Sequence, residues 1–344
     1  MRLLFGRVFS CIGVATMACL WPLAAEAQFS HPRPMQRAAD EYFSALLKRD
    51  FAQLERIADD ARRKDTRISD GQPVLAALYE ATAGCACGNR FTDELWQLRR
   101  TRLTEWKKQI PESQTARVAS AAFPVYYAWF ARGNNYASSV SAEAWQLFKD
   151  RMESGRISLE KLDSAAREDE GWYTAMLWIA LAQHWPSDQF DALYERAAKR
   201  HPGYLPIHFA ASNYYAPEWY GSEKSYSAFI GSAVQRAGPK LGAELYARMN
   251  WAHGRDDMFK DGMADWNRMN DGFQQIIRDY PDAWNLNNYA RFACMARDWA
   301  TMNALAAKIG DTPVSMAWYD DKQLYFQCRK FAHAAVSRGI SSSR

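Results

Sequence analysis

After its first two dozen residues, this chain of 344 amino acids has no run of 18 consecutive apolar residues. The rest of it therefore carries no segment with the pattern of a membrane-spanning helix. Strand signals are nearly missing too, since no alternating apolar and polar run is bounded by an Asn-Gly or Asp-Gly hairpin turn. Histidine is scarce: the six residues at 31, 184, 201, 208, 253 and 333 form no His-x3-His pair and no His-Glu-x2-His helix. The Cys-x-Cys at 85 and 87 lacks the two-residue gap of common zinc knuckles, so no metal or other cofactor is expected. There is no Gly-x-Ser-x-Gly elbow, Walker loop or dinucleotide fingerprint, because the glycines fall between helical segments rather than after strands. Charge of one sign is also wanting. The 43 Lys and Arg against 39 Asp and Glu leave +4, spread without long single-sign runs, which gives no footprint for nucleic acid or a membrane surface.

What is present begins with Arg2 and Arg7, followed by the apolar run from Val8 to Leu23 and the small-residue pattern Ala25-Glu26-Ala27. That order reads as a secretory signal cleaved after Ala27. The alternative is a retained membrane anchor, but Gly13, Thr16 and Pro22 interrupt a run already short of the roughly 20 residues needed to span. A second exit, Thr16-Met17-Ala18-Cys19, resembles a lipoprotein site with a threonine where leucine is usual. The expected organisation is a signal over 1–27, a short linker over 28–34, a helical-repeat domain over 35–338 and a tail over 339–344. Localisation is then periplasmic or secreted, in a bacterium, with no membrane span after cleavage.

Export sets the redox conditions. Of six cysteines, Cys11 and Cys19 leave with the signal, and Cys85, Cys87, Cys294 and Cys328 meet an oxidising compartment. Four cysteines allow three connectivities. Cys294 and Cys328 each lie in a helical pattern, so a staple between neighbouring C-terminal helices is the first choice, closing a loop of about 34 residues and stabilising by roughly 3–4 kcal/mol. Cys85 and Cys87, between Gly84 and Gly88, are then the second pair, a tight local ring that is strained and easily reduced.

Helical periodicity runs through nearly everything after Pro34. Tyr42, Phe43, Leu46 and Leu47 share a face, and Asp50 reads as the cap of a second helix with Phe51, Leu54, Ile57 and Ala58 inward. A helix over about 92–109 carries Leu95, Leu98, Leu103 and Trp106 on one stripe and stops at Pro111. Further segments follow at about 114–132, 138–153, 158–168, 171–184, 187–200, 205–214, 223–237, 240–252, 262–279, 284–296, 299–309 and 321–337. Their separators contain glycine or proline, among them Gly155 and Gly238-Pro239. Ser69-Asp70-Gly71 reads as a helix-to-helix turn. Helices of this length joined by short turns pack antiparallel, and a series of such pairs makes an all-α layered superhelix, an α-solenoid.

Internal similarity is faint but readable. Arg200-His201-Pro202-Gly203-Tyr204 and Asp279-Tyr280-Pro281-Asp282-Ala283-Trp284 each put a proline between an outgoing and an incoming helix, with an aromatic soon after. The second continues into a small-residue helix and the turn Arg297-Asp298-Trp299, like a tetratricopeptide unit without the strict 34-residue period. With Ser69-Asp70-Gly71, Trp106 near Pro111-Glu112-Ser113, Tyr127 to Gly133, Pro217 to Ser222 and the segment from Tyr280 to Cys294, the chain resembles a bacterial family, domain of unknown function 4034. The resemblance covers most of the chain after the signal. It implies a tetratricopeptide-like fold and export, and it brings no activity and no catalytic residue.

Two segments stand out as candidate binding sites. Tyr127 to Gly133 places Trp129 and Arg132 together, either as a carboxylate-binding cation beside a ring or as a helix C-terminus with Arg132 on the dipole and Gly133 as cap. Pro217 to Ser222 sets Glu218, Trp219 and Tyr220 in one loop, either as a stacking platform for a sugar or peptide or as a plug between helix pairs. Thirteen of the 14 tryptophans lie after residue 27, but most, like Trp106, Trp172, Trp178 and Trp266, sit at core spacing. The carboxylates of Glu168-Asp169-Glu170, Asp256-Asp257 and Asp320-Asp321 read as solvated turns, so no catalytic residue is named. The expected function is a protein- or peptide-binding scaffold with a concave face. Action on or binding of cell-wall glycan, and reception of a small ligand, are the alternatives.

Overall fold

The computed structural model describes residues 33–85, 92–133, 137–255, 257–260 and 262–340. Among these residues there are fourteen α-helices and no strand beyond an isolated bridge between Arg67 and Pro73. In chain order they are α1 (Pro34–Leu47), α2 (Phe51–Lys64), α3 (Val74–Thr82), α4 (Asp93–Gln109), α5 (Gln114–Arg132), α6 (Ala142–Glu160) and α7 (Glu170–Ala182). Then come α8 (Ser187–Arg200), α9 (Leu205–Tyr214), α10 (Glu223–His253), α11 (Trp266–Asp279), α12 (Ala283–Met295), α13 (Trp299–Ile309) and α14 (Lys322–Ser337), with a 3-10 turn at Ser315–Trp318 before the last. Helices adjacent in the chain pack on one another as pairs, α5 on α6, α10 on α11, α12 on α13 and α13 on α14 among them. The result is an all-α stack of helix pairs.

Local chemistry sets where the helices begin. Asp50 accepts from Gln53 N at 3.0 Å to open α2, and Ser113, Ser141, Asp265, Asp298 and Asp321 open later helices in the same manner. Each satisfies a backbone N–H that the first turn would otherwise leave without a partner. Ser222 forms a capping box with Ser225 at the start of α10. That helix breaks at Gly238, whose φ of 71° and following Pro239 separate the two expected segments.

Two expectations on the helices are corrected. Gly155 does not end a helix: α6 runs through it to Glu160, and of the segment expected over 158–168 only a 3-10 turn at Ala166–Glu168 stands apart. The glycine is where α6 crosses α5, since a Cβ there would lie 2.5 Å from Val125 Cγ2. The missing side chain serves close approach rather than a turn. The second correction is α3, which the periodicity did not show. Seven of its nine residues are buried, so it has no polar face and no stripe to read.

Cys294 and Cys328 are joined, with S–S 2.00 Å and Cα atoms 5.9 Å apart, stapling α12 to α14. Cys85 is held in a disulfide, while Cys87, the partner expected for it, lies outside the described residues, as do the signal over 1–27 and residues 341–344. Among the described residues no helix is long and apolar enough to cross a membrane.

Candidate functional site

The last turn of α5 puts Trp129 and Arg132 three residues apart on one face. Around the Arg132 guanidinium carbon stand three indoles, with ring centroids at 5.8 Å for Trp129, 5.7 Å for Trp145 and 5.8 Å for Trp219. Trp129 is itself edge-on to Phe148, Trp178 and Trp219 at 5.1, 5.3 and 5.5 Å. Arg132 also donates from Nη1 to Gly133 O at 3.0 Å, and burial pulls its guanidinium below the ordinary arginine range. Arg132 is thus both a cation among rings and the end of a helix. The edge-to-face spacing is that of packed rings, so the cluster works as a plug between helices.

The neighbouring loop divides. Trp219 joins the plug, but Tyr220 is tilted 61° from it, stacks on His184 at 3.8 Å and donates its hydroxyl to Leu181 O at 2.9 Å. The two rings offer no common face for a sugar. Glu218 is exposed, and its charge acts on His253 and Tyr226 of α10 rather than on Arg132.

The solvated-turn reading fails at Asp169. Its side chain is fully buried, caps α7 through Gly171 N, pairs with Arg62 Nη2 at 2.8 Å and accepts from Gln114 Nε2 at 2.8 Å. Tyr79 Oη donates to it at 2.5 Å. Arg62 continues to Thr115 Oγ1 at 2.8 Å, so one carboxylate ties α2, α3, α5 and α7 together. With every oxygen engaged, this hub is structural.

An opening lies elsewhere. A cavity of about 430 Å³ is walled by Arg33, Met35 and Gln36 at the start of α1, by Asp70 and Gln72 of the 65–73 turn, and by Glu80 of α3. Its far side is Phe209 of α9, Arg248, Trp251 and Ala252 of α10, Trp284 of α12 and Met316 of the 3-10 turn. The volume falls in the usual range of small-ligand sites, roughly 300–1,000 Å³.

The 65–73 turn is what brings the early and late helices together. Arg67 Nη1 donates to Gly203 O at 3.0 Å, while Asp70 O accepts from Arg248 Nη2 at 2.7 Å and from Asn285 Nδ2 at 3.1 Å. Gly71, at φ +88°, sits so close that a Cβ would lie 2.4 Å from Arg248 Nη2 and 2.6 Å from Tyr280 Cδ2. Only glycine fits both the dihedral and the space.

Electrostatics inside the cavity are mixed. Arg248 is buried and bonds Glu244 through Nε at 2.6 Å. Burial pushes Glu80 up to about 7 against the pull of Arg99 and, less strongly, Arg33. Burial also raises Asp70, opposed by the Gln72 N–H and by Arg248. The indoles of Trp251 and Trp284 stand 6.0 Å apart at 36°, and the Arg33 guanidinium lies over Trp284 at 5.1 Å.

No family model, curated protein or solved structure matches this chain.

Among the described residues no three His, Cys, Asp or Glu side chains gather as a metal site. The cavity residues were missed in the sequence because they come from seven segments between positions 33 and 316. The one readable signal was Glu80, a lone carboxylate in the otherwise apolar and uncharged α3 sequence VLAALYEAT.

Proposed function

We propose that this is an exported helical-repeat protein that binds peptide, or an extended stretch of a protein partner, in the cavity between its early and late helices. The observation that carries the reading is the cavity's lining: two indoles and Phe209 for side chains, beside the carboxamides of Gln36 and Gln72, which both donate to and accept from peptide units. Apolar walls with a few convergent polar groups are what a recognition site needs. The resemblance to domain of unknown function 4034 fits this reading and adds no activity to it.

Ala252 is exposed, helical and on the cavity wall, so Ala252→Trp narrows the cavity without touching the core. Immobilised protein incubated with a random decapeptide pool should enrich a subset of peptides by mass spectrometry, and the Ala252→Trp protein should not. No enrichment, or the same enrichment by the variant, overturns peptide binding here.

Export is the second part of the proposal. It is supported by the cationic, apolar and small-residue order of residues 1–27 and by the Cys294–Cys328 disulfide, which persists in oxidising compartments. N-terminal sequencing of the protein from fractionated cells should begin at Gln28, and an intact Met1 in the cytosol removes this part.

One observation favours the glycan reading as a runner-up. Burial pushes Glu80 up to about 7 in a cavity shared with Asp70 and two indoles, and a general acid needs a carboxyl raised toward the working pH. Purified sacculi should then release fragments in a manner lost in Glu80→Gln, and no release ends that reading.

A further inference from the structure

The charges around the cavity do not all cancel, and the remainder has a shape. Arg248 is spoken for, with Nε on Glu244 and Nη2 on the Asp70 carbonyl. Glu80 has a partner and feels Arg99 more strongly than any other cation. Asp70 and Arg33 are left without an ion pair among the described residues, Arg33 acting on Glu80 less strongly than Arg99 does. Asp70 is 3% exposed and lines the cavity, yet among the described residues its Oδ1 accepts from Gln72 N at 2.9 Å and its carboxylate forms no ion pair, Arg248 acting on it without direct contact. Arg33 is exposed at the mouth, over the face of Trp284, and likewise forms no ion pair among the described residues.

A buried carboxylate with spare acceptor capacity is costly unless a donor or cation meets it. A guanidinium at the rim presents paired N–H groups suited to a carboxylate. A purely cationic ligand satisfies the first and leaves the second, and an anion does the reverse. Only a ligand carrying both signs satisfies both.

We propose that the cavity recognises a zwitterion, a free amino acid or a short peptide with both ends open, its ammonium group on Asp70 and its carboxylate on Arg33. Trp251 and Trp284 add π faces that also favour an ammonium group. Met35, Phe209 and Met316 give an apolar side chain its place. This deepens the peptide-binding reading and rests on it: it specifies that the ligand's ends are read, where the broader reading asks only for peptide.

The probes are leucine, the tripeptide Ala-Leu-Ala, its N-acetyl form, its C-terminal amide and the doubly blocked form, titrated calorimetrically into the full mature protein. Blocking either end of the tripeptide should weaken binding by about tenfold or more, the loss of one charge-assisted contact. Asp70→Asn keeps the acceptor for Gln72 N–H and removes the charge, so it should bind the free and acetylated peptides alike. Arg33→Gln should bind acid and amide alike, while still telling the free amine from the acetylated one. This crossed pattern would not arise from a general loss of structure. Leucine as tight as the tripeptide identifies the ligand source as free amino acids, and a much weaker leucine identifies short peptides. Equal binding of the doubly blocked tripeptide overturns the zwitterion and leaves peptide binding standing, as does failure of all five probes when the decapeptide pool is still enriched. Failure of both overturns both.

Discussion

Two places in this protein bring an arginine up to tryptophan rings, and they have opposite characters. At the end of α5, Arg132 is enclosed by Trp129, Trp145 and Trp219, and those rings are packed against further rings. At the start of α1, Arg33 lies over Trp284 alone, at the edge of an open volume. The plug is the denser and the more conspicuous in the sequence, yet its contacts are already made within the chain. The cavity is assembled from scattered residues, and two of its charges, Asp70 and Arg33, form no ion pair among the described residues. Aromatic density marks where this fold is closed, whereas at the cavity charge stands beside open space.

That contrast breaks most readily at the plug. Trp129→Ala should cost about 3–5 kcal/mol of stability in urea unfolding, the usual range for deleting a buried tryptophan, whereas Ala252→Trp on the cavity wall should change it by less than about 1 kcal/mol. Similar costs at the two sites would mean that the cavity wall is as tightly packed as the plug.

The next effect concerns the C-terminal staple. Cys294→Ala with Cys328→Ala should lower stability by about 2–4 kcal/mol, and both thiols of the native protein should resist alkylation until a reductant is added. Ready labelling before reduction is the contrary result.

Glu80 sharpens the cavity side of the comparison. Its carboxyl titrates near 7 in the folded protein and near 4.5 when unfolded. Between those values the unfolded chain binds fewer protons than it does when folded, so stability falls as pH rises from 4.5 through 7. Glu80→Gln mimics the protonated form, and should be more stable than the parent by about 1–3 kcal/mol at pH 8 and nearly equal to it at pH 4.5. Melting curves at the two pH values decide this, and an unchanged gap between them refutes it.

The smallest effect belongs to the plug's cation. Arg132→Met keeps most of the packing and loses the cation–ring attraction, so a cost of about 0.5–2 kcal/mol is expected. A gain in stability would show that desolvating the guanidinium outweighs what the rings return.

How far the sequence foretold all this follows from where each signal resides. Amphipathic helices with Asp or Ser caps, such as α2 and α11, were readable because periodicity and caps are local. The Cys294–Cys328 bridge was readable because both cysteines fell on helices of adjoining pairs. α3 was not, because burial on nearly every side erases the stripe, and Tyr79 went with it, leaving the lone carboxylate of Glu80 as the one mark the segment carries. Gly155 was misread because a glycine that admits a neighbouring helix looks, in one dimension, like one that stops its own. Trp129, Arg132 and Trp219 stood out in the sequence as candidate binding residues, but only tertiary contact between α5 and the loop before α10 reveals that they share one packed cluster. The cavity was beyond any spacing argument, since Arg33 and Met316 meet only when the stack is complete.

The Asp70 carbonyl carries a consequence of its own. Repeat proteins ordinarily fray unit by unit, since each repeat touches only its neighbours. Here one oxygen is shared by Arg248, 178 residues away, and Asn285, 215 residues away. Early and late units are thereby bolted to a common point, so loss of the last helices should loosen the amides of the first. Hydrogen exchange would register the two ends opening as a single cooperative event, unlike the zipper-like peeling of an open array.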